Sequence, residues 1–213
     1  MSLGSSVASF ALVAALVTII PGLDTAMVLR SAIRHGRRHG FATALGVSCG
    51  ALTWGAGAAV GISALLEISK TAYTVVRIAG AIYMVWLGSR LLLQAIRAKS
   101  SDNFGDLDGD GEPRHLSRSW ARGYTTNLLN PKIGAFYVSV LPQFIPAHTS
   151  HLAVGLLLAG VHDLEALIWF SAIILASHAA RAAFAKRRTQ RTIDGVTGTV
   201  LIGFGLRLGL GSR

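Results

Sequence analysis

The stretch "IIPGLDTAMVLRSAIRHGRRHG" occupies residues 19–40 and decides how the first part of the chain folds. It closes an apolar run with a Pro-Gly pair, introduces a carboxylate at Asp24 and ends in a basic cluster. Pro21 lacks a backbone donor and clashes with the preceding helical turn, so it interrupts a helix. The stretch predicts a hydrophobic helix that breaks at Pro21 and Gly22. A second segment then begins with Asp24 in its first turn, where a negative charge suits the positive helix end.

The composition predicts that this broken helix lies in a membrane. Of the 213 residues, 52% are hydrophobic and only 14% are charged, and the mean hydropathy is +0.52. A soluble domain is about one quarter charged. The net charge of +10 comes from basic clusters between long apolar blocks, without interleaved aromatic residues, which argues against nucleic-acid binding. The lone Cys49 excludes an internal disulfide and is expected to be a packing residue.

Six apolar segments are candidate membrane spans, since a spanning helix needs about 20 residues. The first twenty residues contain no Lys or Arg, so they predict a retained span rather than a cleaved signal peptide. The fourth segment is interrupted by an Asn-Pro-Lys triplet, the fifth carries three ionisable residues, and the sixth is short and rich in glycine. The predicted spans cover residues 7–29, 41–66, 71–93, 123–141, 152–178 and 193–210.

The connections between these spans predict the orientation of the chain. Most of the 20 Lys and Arg residues fall in the first, third and fifth connections, so these are predicted to be cytoplasmic and both termini to face outward. The third connection, residues 98–120, has an acidic middle and is expected to be a flexible linker. Its "DLDGDG" matches the first half of an EF-hand loop. The twelfth position counted from Asp106 is Ser117 rather than the required Glu, so a disordered linker is favoured over a calcium site.

The linker divides a single membrane domain, 1–213, into halves at 1–97 and 121–213. Each half opens with a Pro-broken helix and closes with Gly-x-Arg-Leu, at residues 88–91 and 205–208. Three spans per half force opposite orientations, which gives the inverted repeat found in many transporters. We therefore expect an all-α polytopic membrane protein with two inverted three-helix repeats; the alternative is two unrelated three-helix segments. In the second helix, G-x-x-x-G pairs predict close packing at Gly46, Gly50, Gly57 and Gly61.

Polar residues beside both breaks predict a buried site. A carbonyl freed inside a membrane cannot reach bulk water, so a break there is satisfied by protein or lines a polar cavity. Thr25 adds a hydroxyl beside Asp24, and Asn130 is expected to cap a helix begun by Pro131. Lys132 opposes the dipole in that first turn, so it requires an acidic partner or an anionic ligand. A simple helix kink is the alternative reading of Pro21.

The fifth predicted span carries His162, Asp163 and Glu165. His162 and Glu165 share one helix face, whereas Asp163 points about 100° away from His162. The two carboxylates are therefore not expected to converge, although each is a candidate partner for Lys132. His162 is a candidate proton relay or, alternatively, a histidine hydrogen-bonded between helices.

Three segments in order resemble the LysE/RhtB family of amino-acid exporters. They are "PGLDTAMVLRSAIRHGRRHGFATALGVSCG" (21–50), "GAIYMVWLGSRLL" (80–92) and "GYTTNLLNPKIGAFYVSVLPQF" (123–144). Leu23 stands where the family usually has a second Pro. The resemblance implies proton-coupled antiport of amino acids or related metabolites out of a bacterial cell, across the inner membrane. The residues that match the family pattern are Pro21, Gly22, Asp24, Asn130, Pro131 and Lys132.

These expectations combine into a hypothesis of secondary active export, with no cofactor and no metal. Asp24 would meet the ammonium group of a zwitterionic or cationic substrate, while Lys132 or half-helix amides would meet its carboxylate. Asp163 or Glu165, with His162, would carry the coupling proton. The alternatives are a cation or metal-ion exporter and an intramembrane enzyme that uses the same three residues, although no H-E-x-x-H motif is present. Glycine-rich faces suit internal packing or a homodimer equally.

Overall fold

The computed structural model describes residues 2–68, 70–96, 115–146, 149–177, 179 and 186–210. Within those ranges the regular structure is helical and contains no strand. The helices are α1 (Leu3–Ile19), α2 (Leu23–His35), α3 (Arg37–Ile68), α4 (Lys70–Ile96), α5 (Leu116–Leu128), α6 (Pro131–Ser139), α7 (His151–Leu175) and α8 (Arg187–Leu210), with a short 3-10 helix at Leu141–Phe144.

The all-α membrane class predicted from composition is confirmed. In α3, Arg37–Gly61 is long and apolar enough to cross a membrane, and so is the whole of α7. Helices α1 and α2 together form a third candidate span, bent by 55° at the break between them. By length and composition, the described residues thus contain two or three candidate spans, and the six-span inverted repeat stays a prediction.

The first helix break lies where the sequence predicts it. Helix α1 ends at Ile19 and α2 begins at Leu23, with Gly22 as an extended N-cap that offers no capping side chain. Pro21 cannot donate a backbone hydrogen bond, which explains why the helix does not run through this point. Asp24 lies in the first turn of α2, as expected.

The second break separates α5 from α6. Pro131 is the first residue of α6, and the side chain of Asn130 accepts a hydrogen bond from the Lys132 amide at 3.1 Å. The predicted cap is therefore confirmed. Helix α5, however, begins at Leu116, inside the range predicted to be a linker, because this polar segment is amphipathic. The acidic "DLDGDG" motif lies outside the described residues.

Glycine contacts fix how closely the helices approach. Helix α3 packs against α2, α5 and α7, while α4 and α8 pack against each other. A Cβ on Gly46 would overlap the Trp120 carbonyl of α5, and one on Gly50 would lie 2.7 Å from Asn127 Oδ1, so the first G-x-x-x-G pair is a packing surface.

The second G-x-x-x-G pair behaves differently from the prediction. A Cβ on Gly57 or Gly61 would meet no described atom within 4 Å. The contact between α3 and α7 instead uses Gly55, where a Cβ would lie 2.5 Å from Ala159 Cβ. For this second pair, the G-x-x-x-G pattern correctly predicted that α3 packs closely on another helix, but it selected the wrong face of α3. Gly55, which makes the contact, lies about 200° around the helix axis from Gly57.

An aromatic cluster joins the broken helices to the rest of the bundle. Phe10 of α1 lies 5.7 Å from Phe136 of α6 and 5.6 Å from Phe144, measured between ring centroids. Tyr137 is fully buried beside Phe136, with an edge-on contact at 5.5 Å. These contacts hold α6, which has only nine residues, against α1 and so fix the position of the second break.

Candidate functional site

A polar cavity lies where the two helix breaks meet, and we call it the central cavity. Six helices contribute to it: α1, α2, α3, α5, α6 and α7. The space open to the centres of water molecules is about 30 Å³, which is room for about two waters. Its polar side chains are Thr18, Asp24, Thr25, Asn127, Asn130, Lys132, His162 and Asp163.

Most of the residues predicted for the site line this cavity. Gly22 and six of the polar side chains just named, all except Thr18 and Asn127, came from the sequence, although their roles are untested. Pro21 and Pro131 shape the backbone at the breaks but do not line the cavity. Glu165 lies outside the lining as well, so Asp163 is the carboxylate of α7 that faces the central cavity.

Asp24 is held by two amides from the second half of the chain. Its Oδ2 accepts hydrogen bonds from Asn127 Nδ2 and Asn130 Nδ2, both at 3.0 Å. The residue is only 7% exposed. Its other oxygen, Oδ1, is buried and has no hydrogen-bond partner within the part of the chain that the structure describes. Half of this carboxylate is therefore fixed and half is available to a ligand.

Lys132 binds the end of α1 rather than a carboxylate. Its Nζ donates to the carbonyl oxygens of Val17 at 3.1 Å and Ile20 at 2.9 Å. These carbonyls belong to the last turn of α1, where freed backbone groups carry partial negative charge. The sequence had predicted an acidic partner or an anionic ligand for Lys132. The carboxylate of Asp24 acts on the ammonium group electrostatically, but the direct partners of Nζ are backbone carbonyls.

Residues at each helix break therefore form hydrogen bonds with polar groups at the other break. Asp24, beside the first break, receives amide donors that flank the second break. Lys132, beside the second break, satisfies carbonyls freed at the first. A break inside a membrane needs such partners because bulk water is out of reach. This reciprocity accounts for the presence of both charges in an otherwise apolar region.

His162 and Asp163 form the α7 side of the central cavity. The Nδ1 atom of His162 shares a hydrogen bond of 2.9 Å with the Tyr137 hydroxyl of α6. The ring of Phe136 lies edge-on at 5.2 Å. His162 is thus a histidine hydrogen-bonded between two helices, which was the structural alternative for it. Asp163 is 6% exposed, and its Oδ1 has no hydrogen-bond partner in the described residues.

Sequence reasoning missed two residues that matter for the geometry, Asn127 and Tyr137. Asn127 precedes Asn130 by three positions, a spacing that would place both amides on one side of a continuous helix, although in the structure α5 ends at Leu128 and Asn130 caps α6. A buried amide is costly without partners, so the "NLLN" pattern in an apolar segment was a usable signal. Tyr137 carried no comparable signal, because an aromatic residue in an apolar helix has an ordinary packing explanation.

The central cavity is equipped to receive a donor-rich cation. Three buried acceptor oxygens in its lining lack a hydrogen-bond partner among the described residues: Asp24 Oδ1, Asn127 Oδ1 and Asp163 Oδ1. An ammonium group offers three N–H donors and a positive charge. The described residues contain no group of three or more His, Cys, Asp and Glu side chains suited to a metal ion.

A helical membrane protein with a polar chamber between broken helices has the plan of a transporter. The sequence model described as "LysE type translocator" matches residues 15–212. The chain belongs to the LysE family of translocators. It is therefore a transporter and not an enzyme, which removes the intramembrane-enzyme alternative.

Curated relatives are similar to the chain over nearly its whole length. An uncharacterized membrane protein YrhP of Bacillus subtilis is 29% identical over 93% of this chain and 95% of its own. A leucine efflux protein of Enterobacter sp. is 30% identical over 90% and 89%, respectively. A threonine efflux protein of Escherichia coli is 26% identical over 88% and 89%. No solved structure matches the chain.

Proposed function

We propose that the protein exports amino acids across the bacterial inner membrane and that the central cavity binds the substrate. The observation that carries the proposal is a set of three oxygens at the meeting point of the two breaks, on Asp24, Asn127 and Asp163, which have no hydrogen-bond partner within the described ranges. These oxygens suit an α-ammonium group, which every amino acid carries. The names of the leucine and threonine efflux relatives support an amino-acid substrate.

The carboxylate of the substrate binds Lys132 and the first turn of α2 in the same cavity. Lys132 donates to two carbonyls, and an ammonium group has three donors. The remaining N–H is available to an anion. The first turn of α2 adds backbone amides, because its N-cap is Gly22 and no side chain caps them. An anion at a helix N-terminus is favoured by both the free amides and the helix dipole.

Transport requires the central cavity to open. Room for about two waters is less than an amino acid needs, so this structure corresponds to a closed state. We propose six spans in two inverted halves, with both termini outside, that open the cavity alternately to either face. The reciprocal contacts of Asp24 and Lys132 hold the closed state, and their exchange for substrate contacts allows it to open.

The substrate is identified by an export screen. Cells that overproduce the protein are loaded with dipeptides, and release of each amino acid is measured against cells that carry an empty vector. Purified protein in liposomes is then tested with leucine and threonine first, since two relatives are named for them. Faster release of one or a few amino acids supports the proposal. Flux of metal ions without any amino-acid flux would favour the cation exporter instead.

We assign proton coupling to Asp163. Glu165, on the same helix but outside the cavity lining, provides the control. Asp163 and Glu165 each have a buried carboxyl oxygen without a hydrogen-bond partner in the described residues, but only Asp163 lines the central cavity. We expect Asp163→Asn to abolish flux driven by a pH gradient and to weaken, without abolishing, exchange of substrate for substrate, because Asp163 Oδ1 also faces the substrate ammonium. Glu165→Gln should preserve both. Equal loss in the two variants would contradict the assignment.

A further inference from the structure

The central cavity has an apolar end, which the binding of the ammonium and carboxylate groups leaves unused. Three residues line this end, and all three are buried: Val47 of α3, and Ala166 and Phe170 of α7. They belong to one hydrophobic cluster, which continues away from the cavity as far as Ile174. We call these three residues the apolar pocket.

The apolar pocket begins one helical turn beyond an acidic residue of the cavity. On α7, Asp163, Ala166 and Phe170 line the cavity at intervals of three and four residues, which places them on one helix face. At 1.5 Å per residue, Ala166 lies about 4.5 Å and Phe170 about 10.5 Å beyond Asp163 along the helix axis. The cavity wall formed by α7 therefore changes from acidic to apolar in the direction of the C-terminus of this helix.

Helix α3 supplies the facing wall of the apolar pocket. A Cβ on Gly40, near the start of α3, would lie 3.2 Å from Ile174, near the end of α7. Further along α3, Gly55 packs against Ala159, which lies earlier in α7. The two helices are therefore antiparallel. Val47 lies midway between the two glycines, so it is level with the middle of the corresponding stretch of α7, where the apolar pocket lies.

The charged groups of the cavity lie away from the apolar pocket. Among the described lining residues, the two carboxylates are Asp24 and Asp163, and both are placed to meet the ammonium group. One turn after Asp24 on α2, Val28 belongs to the same hydrophobic cluster as the apolar pocket. A cationic side chain that reached this end would lose its hydration without gaining an acidic partner, which is costly. An apolar side chain would bury its surface there, which is favourable.

We propose that the apolar pocket binds the side chain of the substrate, so that the protein selects amino acids with neutral aliphatic side chains, such as valine and leucine. The inference rests on the export function proposed above and names the substrate class of the same site. The ammonium group binds at Asp24 and Asp163, and the side chain extends from there along α7 toward Phe170. When the cavity opens, the surfaces of the apolar pocket separate, and the substrate side chain covers them in place of water.

Valine and threonine test the polarity of the apolar pocket, because they have nearly the same shape and differ by a methyl group against a hydroxyl. The unaltered full chain is reconstituted in liposomes, and the fluxes of valine, threonine and lysine are measured at one low concentration. We expect valine flux to exceed threonine flux about tenfold and lysine flux about a hundredfold. The hydroxyl and the ammonium group would each be buried in the apolar pocket without a partner.

The outcomes of this comparison separate the inference from the export function. Lysine flux equal to valine flux, or threonine flux above valine flux, would overturn the inference and leave amino-acid export standing. Absence of flux for every amino acid would reject the export function, and the inference with it.

Substitutions in the apolar pocket test its size. Ala166→Leu fills the space beside Phe170, so it should lower leucine flux relative to alanine flux about tenfold or more. Phe170→Ala lengthens the pocket and should raise phenylalanine flux relative to leucine flux by a similar factor. Both ratios are measured within one preparation, so they do not depend on how much of the protein is folded.

Ala172→Leu is the matched control, because Ala172 is an exposed alanine on α7 that does not line the cavity. It should leave the ratio of leucine flux to alanine flux unchanged. A shift of this ratio as large as the one caused by Ala166→Leu would overturn the inference.

The competing role for the apolar pocket is that of a seal, which closes the cavity in the absence of substrate. A seal acts on every substrate alike, so Ala166→Leu and Phe170→Ala would then change the fluxes of alanine, leucine and phenylalanine by one factor. That result would overturn the inference.

The competing position for the substrate side chain is beside Thr18. This residue lines the cavity, and its buried Oγ1 has no hydrogen-bond partner within the part of the chain that the structure describes. Loss of threonine flux in Thr18→Val, with valine flux unchanged, would place the side chain there and contradict the assignment to the apolar pocket. We expect Thr18→Val to leave the ratio of valine flux to threonine flux within about twofold of the unaltered protein, a change smaller than one methyl group makes in a binding pocket.

Discussion

Replacing Gly50 by alanine tests whether the packing of α3 on α5 holds the site together. A Cβ at position 50 would lie 2.7 Å from Asn127 Oδ1 and 2.9 Å from Asn127 Cβ. Ordinary contact begins at 3.4 Å, so the amide must withdraw by about 0.7 Å. Asn127 donates to Asp24 at 3.0 Å, and a hydrogen bond of that length tolerates little of such a displacement.

The expected cost follows from these contacts. Losing a hydrogen bond to a charged group lowers the free energy of unfolding by about 1.5–3 kcal/mol. Replacing glycine by alanine in a helix raises it by up to about 1 kcal/mol. Gly50→Ala should therefore lower the free energy of unfolding by about 0.5–2 kcal/mol. Gly57→Ala in the same helix meets no described atom within 4 Å, so it should gain about 0.5–1 kcal/mol.

The assay is thermal unfolding of both variants in the same detergent. The free energy of unfolding should be about 1.5–3 kcal/mol lower for Gly50→Ala than for Gly57→Ala, which corresponds to a melting temperature roughly 3–12 °C lower. In an Asn127→Ser background the amide and its hydrogen bond to Asp24 are already absent, so Gly50→Ala should cost less than in the unaltered chain, although the 2.9 Å contact with the Cβ of residue 127 remains. The reasoning is refuted if Gly50→Ala melts at or above Gly57→Ala, or if the Asn127→Ser background makes no difference to the cost.

Three further substitutions probe other contacts of the site by the same unfolding measurement. Lys132→Met removes the donor to two carbonyls of α1 and should cost about 2–4 kcal/mol; unchanged stability would show that those carbonyls find other partners. Tyr137→Phe removes the hydroxyl bonded to His162 at 2.9 Å and should cost about 1 kcal/mol, whereas no cost would argue against that bond. Asn130→Ala loses both a helix cap and a bond to Asp24, so it should cost about 2–4 kcal/mol. A loss of 1 kcal/mol or less would indicate that only the cap contributes.

The parts of the fold that depend on local chemistry were predictable from the sequence. A Pro-Gly pair, such as Pro21 and Gly22, interrupts a helix. Asparagine is a favoured N-cap residue, so Asn130 before Pro131 predicts the start of a helix. The structure has both features where the sequence placed them. The charge of Asp24 in an apolar segment was an equally direct signal. Placing a charged side chain inside a membrane costs free energy, and such residues usually face a polar cavity or a partner, so Asp24 was expected to contribute to a polar site.

The parts that depend on helix rotation and tertiary contact were not predictable. The choice between Asp163 and Glu165 depends on how α7 is rotated toward its neighbours, and spacing within one helix cannot reveal that. The carbonyl partners of Lys132 lie more than 110 residues away in sequence, at an end of α1 that only folding brings near. Gly55 was overlooked for Gly57 for the same reason, since G-x-x-x-G spacing marks a smooth surface without showing what covers it.

The most direct test of the central cavity is leucine and threonine flux through the Asp24→Asn variant in liposomes, beside the unaltered protein. The substitution keeps the side-chain shape and removes the charge that meets the ammonium group. We predict that flux falls at least tenfold at low substrate concentration, while the melting temperature shows that the variant is folded. Undiminished flux by a folded Asp24→Asn protein would contradict the claim that the junction of the two helix breaks binds the transported molecule.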